Sequence, residues 1–203
     1  RYQRSADQGF VQSQYRLGTF YERGLGVKAD PAKAAAWYQR AAEKGNVKAM
    51  HNAAVIAAGN QVGAPNYDKA FSWFKQAAEH GLKDSHFNLA VLYERGLGTK
   101  IDKPQAMFWY MLAGKHGDKD AARRGVQLAT SLSPSEVAAT TNRSETWSPR
   151  TASDDANVVA VTDAAWNTTA AAAPVTLDTA PLDAQIAAEV TDNPVLEAQK
   201  LLM

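Results

Sequence analysis

The chain of 203 residues has no cysteine, which excludes a disulfide framework and any thiolate metal site. Histidine is scarce. The four, His51, His80, His86 and His116, include no pair at the i, i+4 spacing of a helical zinc site. No apolar run approaches the roughly 20 residues that span a bilayer. No serine sits in the glycine-flanked turn that exposes a hydrolase nucleophile. The one tight carboxylate pair, Asp154-Asp155, lies in a stretch without apolar walls to shift its protonation. Glycine, thirteen in all, stops at Gly125. These absences leave the chain without a recognisable catalytic constellation, and it reads as a non-enzyme that needs no cofactor.

What is present is repetition. The hexapeptide YERGLG stands at 21–26 and again at 93–98. Half of that separation, 36 residues, lays the chain out without gaps in rows 13–48, 49–84 and 85–120. Trp37, Trp73 and Trp109 share a column, as do Tyr38, Phe74 and Tyr110, and Gly45, Gly81 and Gly117 close each row. Alanine fills two further columns, at 34, 70 and 106 and at 41, 77 and 113. The opening RYQRSADQG matches the end of a row, and a weaker fourth row covers 121–147. A fixed period of this length signals stacked supersecondary units, each unable to bury its apolar face alone.

Each row reads as two helices. Leu17, Phe20 and Tyr21 make an apolar stripe on the first, and Gly24 and Gly26 end it, because glycine takes the left-handed backbone of a helix stop. GLG is therefore a terminator; no third glycine or Gly-Lys-Ser follows to make a phosphate cradle. Asp30-Pro31 starts the second helix, whose buried face is Ala34, Trp37, Tyr38, Ala41 and Ala42. Ser133-Pro134-Ser135-Glu136 is a capping box for a helix in the fourth row. The expected fold is an all-α, right-handed solenoid of helix pairs over 1–147.

Composition changes at Ser148-Pro149. Residues 1–147 carry 20 Lys and Arg against 13 Asp and Glu; residues 148–203 carry 2 against 8. The stretch 148–192, rich in Ala, Thr, Val and Pro, reads as an acidic, mostly extended linker. Residues 193–203, NPVLEAQKLLM, regain helical spacing and read as the start of a further domain. Arg1 falls inside a helical pattern and the spacing of 193–203 stops without a cap, so both ends read as cuts.

The texts LGTFYERGLGVKADPAKAAAWYQRAAEKG and LAVLYERGLGTKIDKPQAMFWYMLAGKHG resemble Sel1-like repeats, relatives of the tetratricopeptide repeats. The second row departs from that pattern over 59–66 while keeping its length. A narrower resemblance rests on KAMHNAAVIAAG, AAEHGLKDSHFNLAVLYERGLG and LSPSEVAATTNRSETW, which look like the C-terminal half of the PodJ family of alphaproteobacterial polar localisation factors. That resemblance implies a periplasmic location, in a protein anchored to the inner membrane by segments absent from this chain. It also implies a peptidoglycan-binding domain beginning near VLEAQKLL, and a non-enzymatic role in organising a cell pole.

Two candidate sites follow. Arg16, Asn52, Asn88 and Arg124 share a column of the first helices, which line the concave face of such solenoids. They are expected to form a ladder that holds an extended partner, or alternatively to bond neighbouring helix ends. The acidic tail, tethered to a basic solenoid, is expected to dock on it through Val158, Val161 and Trp166. Basic residues are spread through the repeats and the aromatic columns sit at core spacing, so a nucleic-acid platform is not expected. The expected partners are a protein or peptidoglycan; the alternative is a regulatory subunit that controls an enzyme or a signalling kinase.

Overall fold

The computed structural model describes residues 2–158, and all regular structure among them is helical. The elements are α1 (Tyr2–Asp7), α2 (Val11–Arg23), α3 (Pro31–Glu43), α4 (Val47–Ala58), α5 (Tyr67–Glu79), α6 (Lys83–Arg95), α7 (Lys103–Lys115), α8 (Lys119–Ala129), α9 (Pro134–Thr146) and the single turn α10 (Asp154–Asn157). From α1 to α8 each helix packs on the next in the chain. The protein is an α-solenoid in which α2–α3, α4–α5 and α6–α7 are equivalent pairs.

The column residues explain the pairs. Asp30, Asn66 and Asp102 cap α3, α5 and α7, each accepting from the backbone N–H three residues on at 2.9 Å. The same residues close their loops, donating to the carbonyls of Tyr21, Ala57 and Tyr93 at 2.8, 2.7 and 2.9 Å. In the first and third pairs, Gly24 and Gly96 end the preceding helix at φ 69°. The second pair lacks that motif. Gly59 is extended there and the positive φ falls on Gly63, yet the closing bond from Asn66 survives because the loop keeps its length.

Small columns set the helix spacing. Ala34, Ala70 and Ala106, then Ala41, Ala77 and Ala113, are all buried. Tyr38, Phe74 and Tyr110 fill the adjoining space and are at most 1% exposed. Gly18 takes this furthest, since a Cβ there would lie 2.6 Å from the Tyr38 ring. Trp37 and Trp109 are buried, and half-buried Trp73 packs against the cores on either side of it.

The fourth row departs from the pattern. α8 continues the stack, but α9 packs on α7 instead of completing a pair in the regular way. Glu145 and Thr146 stand in the two aromatic columns, so α9 cannot fill the space its counterparts fill. Val126 is consequently 70% exposed, whereas its column mates Ala54 and Ala90 are fully buried. Of the stretch 148–192, the part described is without regular structure to Ser153 and then makes the single helical turn α10. Residues 159–192 and the helical spacing of 193–203 lie outside the described residues.

Candidate functional site

Wherever a second helix ends and the next first helix begins, the chain passes through a glycine in the left-handed region. These are Gly9, Gly45, Gly81 and Gly117, at φ 92°, 90°, 85° and 98°. The turns lie one per repeat. Each exposes the last carbonyls of one helix and the first N–H groups of the next, groups that have no partner within their own helix.

The segment after α9 runs back along these turns, against the direction of the repeats. Trp147 packs edge-on to His86 and Trp109, with ring centroids 5.6 and 6.0 Å away. Pro149 lies over the second turn so closely that a Cβ on Gly81 would be 2.8 Å from its own. The Arg150 N–H donates to the Glu79 carbonyl at 2.8 Å, and its guanidinium meets the Glu79 carboxylate at 2.9 Å. His80 Nδ1 lies 3.2 Å from the Arg150 carbonyl, to which it can donate in the tautomer protonated there.

At the first turn the fit is closer. Ala156 is 2% exposed and faces Gly45. Asn46, whose side-chain oxygen caps α4, donates its amide to the Ala156 carbonyl at 2.5 Å. Asn157 donates to the Gly45 carbonyl at 2.9 Å and accepts from the Val47 N–H at 2.8 Å. One side chain thus satisfies both a last carbonyl and a first N–H of the same turn. The strap is held by three main-chain groups of the solenoid, the Glu79 and Gly45 carbonyls and the Val47 N–H, and by the side chains of Glu79, His80 and Asn46, with small residues against glycine.

Under the strap lies a neutral imidazole. His86 is fully buried; its Nε2 lies 3.3 Å from the Ala78 carbonyl, and its Nδ1 has no partner among the described residues. Burial pushes its pKa down to about 4, with His116 adding in the same direction. His51, 2.9 Å from the Ser85 hydroxyl, is also lowered by burial. No cluster of His, Asp or Glu among the described residues could hold a metal.

The candidate ladder is half-buried throughout, on α2, α4, α6 and α8. Each member has a partner inside the chain. Arg16 lies over the Tyr2 ring, Asn52 bonds Tyr38, and Asn88 donates to the Asp84 carbonyl at 3.1 Å. Arg124 binds the Glu94 carboxylate. Behind the ladder is a network the sequence reading missed. The Tyr38 hydroxyl donates to Glu22 at 2.6 Å, and that of Tyr110 to Glu94 at 2.9 Å. Burial, reinforced by the carboxylate, raises both phenols. The signal was in the columns: the middle row replaces the Glu by Ala58 and the Tyr by Phe74, losing donor and acceptor together.

Of the expected tail anchors, Val161 and Trp166 lie outside the described residues. Val158 does not seat; it is 57% exposed, because the turn of α10 directs Ala156 and Asn157 to the solenoid instead. The expected charge match is also reversed over this stretch. Asp154 and Asp155 are exposed, and the ion pair joins a basic strap residue to an acidic solenoid residue. No single-letter pattern marked the strap beyond Trp147 falling two places past its column.

The model of the Sel1 repeat matches three consecutive segments, 11–46, 47–82 and 83–118, whose starts coincide with those of α2, α4 and α6. The chain belongs to the Sel1 repeat family. Two solved structures resemble this Sel1 repeat protein over 71% of its length. One is a Sel1 repeat protein from Oxalobacter formigenes, 28% identical with a TM-score of 0.57. The other is c5321, a protective antigen of uropathogenic Escherichia coli with the same class of fold, 27% identical with a TM-score of 0.59. The aligned parts are 59% and 32% of those two chains. No curated protein matches in sequence.

Proposed function

We propose that this Sel1 repeat protein is a non-enzymatic interaction scaffold of a bacterial cell envelope, acting in the periplasm to recruit protein partners at a cell pole. The observation that carries the reading is the strap: the repeats offer an edge that holds a non-repeat segment through hydrogen bonds, three of them to main-chain atoms of that segment, the N–H and carbonyl of Arg150 and the carbonyl of Ala156. An edge built that way suits protein ligands, which all carry main-chain donors and acceptors. The periplasmic and polar parts of the proposal rest on the resemblance of 48–59, 77–98 and 132–147 to polar localisation factors. No helix among the described residues is long and apolar enough to cross a membrane, so anchoring would come from segments outside them.

The test is photocrosslinking in cells from probes at three exposed positions, Leu25 and Ile101 in the loops that follow α2 and α6, and Val126 on α8. Discrete protein adducts in the periplasmic fraction support the scaffold; cytoplasmic adducts refute the location, and none from any position refutes recruitment. A second reading, binding to peptidoglycan, is favoured by the basic excess of residues 1–147. Sedimentation with insoluble peptidoglycan separates the two. Retention that persists at high salt supports wall binding, whereas retention only at low salt reflects unspecific charge attraction.

A further inference from the structure

The strap covers the turn edge with few features that would make it permanent. Thr151, Ser153, Asp154 and Asp155 all face solvent, so the strap is a single layer on the surface. The Arg150 side chain is 71% exposed, and an ion pair so placed holds weakly. Its two seating points, Pro149-Arg150 at Gly81 and Ala156-Asn157 at Gly45, are one repeat apart on the solenoid and seven residues apart in the strap. Main-chain bonds exchanged with water leave little net stabilisation each. Tethering supplies the rest, since a short connection holds the segment at an effective concentration of about millimolar.

We propose that the turn edge is a peptide-binding groove and the strap its displaceable internal ligand. The external ligand is an extended segment of a partner protein with the strap's own chemistry: an aromatic residue, then Pro-Arg two places on, then Ala-Asn seven residues after those. Arginine is read by Glu79, proline and alanine by the two glycines, and the asparagine amide by the Gly45 carbonyl and the Val47 N–H. A partner must outcompete the tether, so the strap sets a threshold for recruitment. The biological sense of this groove rests on the scaffold reading, but its existence is tested with purified components alone.

The probe is a fluorescein-labelled synthetic peptide of residues 145–158, titrated against the full chain and against an Ala156→Leu/Asn157→Ala variant. That variant alters only the strap, and circular dichroism checks that its helices persist. Anisotropy should show the peptide binding the variant at least ten-fold more tightly than the unaltered chain. Adding Asn46→Ser, which keeps a capping oxygen but removes the amide aimed at Ala156, should weaken binding at least five-fold. No binding to the strap variant at millimolar peptide, or equal binding to both chains, would overturn the groove. An unaltered chain that is dimeric by light scattering and becomes monomeric with peptide would overturn the partner-protein ligand in favour of a second copy's strap. Peptide binding without crosslinked partners in cells would keep the groove and sink the scaffold.

Discussion

The buried Tyr–Glu pairs show how one residue's chemistry constrains another. The Tyr110 hydroxyl is almost wholly buried and donates to Glu94, which also holds Arg124. Removing the carboxylate alone strands a buried donor, so Glu94→Ala should destabilise the chain by about 1–3 kcal/mol. Adding Tyr110→Phe should recover much of that loss, because the middle repeat makes the same joint replacement with Ala58 and Phe74. A double-mutant cycle in urea reads the coupling, and strictly additive losses would contradict it. The buried histidines set a pH limit. His86 titrates at about 4 in the folded chain and near 6.5 when unfolded. Its neutral burial therefore contributes fully above pH 6.5, and the contribution is lost as pH falls toward 4, by about 3 kcal/mol. The lowered His51 acts in the same direction. Urea midpoints from pH 7 to 4 should fall, and His86→Leu should flatten the slope.

At the scale of elements, the same hexapeptide meets different neighbours. Gly26 and Gly98 both sit in the left-handed region, at φ 70° and 65°. A Cβ on Gly26 would meet nothing within 4 Å, whereas one on Gly98 would lie 2.1 Å from the Tyr67 carbonyl oxygen at the start of α5. Gly26→Ala should cost about 1–2 kcal/mol, the backbone term alone. Gly98→Ala should cost several kcal/mol more, because its loop must lift from the preceding pair. Comparable losses in thermal melts would show that the loop gives way freely. The element starts were legible: the caps at Asp30 and Ser133 follow from the local sequence. The placement of α9 was not, because a helix signal says nothing of the surface that receives it, and the missing aromatic columns only excluded the regular place.

For the whole molecule, the strap ties residues 149–157 back to the turns at Gly81 and Gly45. Its hold depends on hydrogen bonds made by Arg150, Ala156 and Asn157 and on Ala156 against glycine, with one ion pair among them, so it should resist salt. Hydrogen exchange over 148–158 should show protection at Arg150, whose N–H bonds the solenoid, that persists in 0.5 M salt, where the Debye length falls to about half its physiological value. Asn157→Ala should abolish the protection around Ala156. Protection lost in salt would instead assign the docking to the exposed Glu79–Arg150 pair.

The sequence by itself determined the period of 36, the two helices per row, the helix stops at GLG and the identity of the buried columns. These are local or strictly periodic properties, carried by residue type and spacing. Tertiary structure alone decided where the unlike segments go. α9 crosses to α7 because its own slot lacks aromatic filling, and Ala156 and Asn157 seat where Val158 does not. The seating of the strap depends on pairings between residues 70 to 112 apart in the chain, made by main-chain groups at the turns and by the side chains of Asn46, Glu79, His80 and Asn157, which no local pattern can advertise.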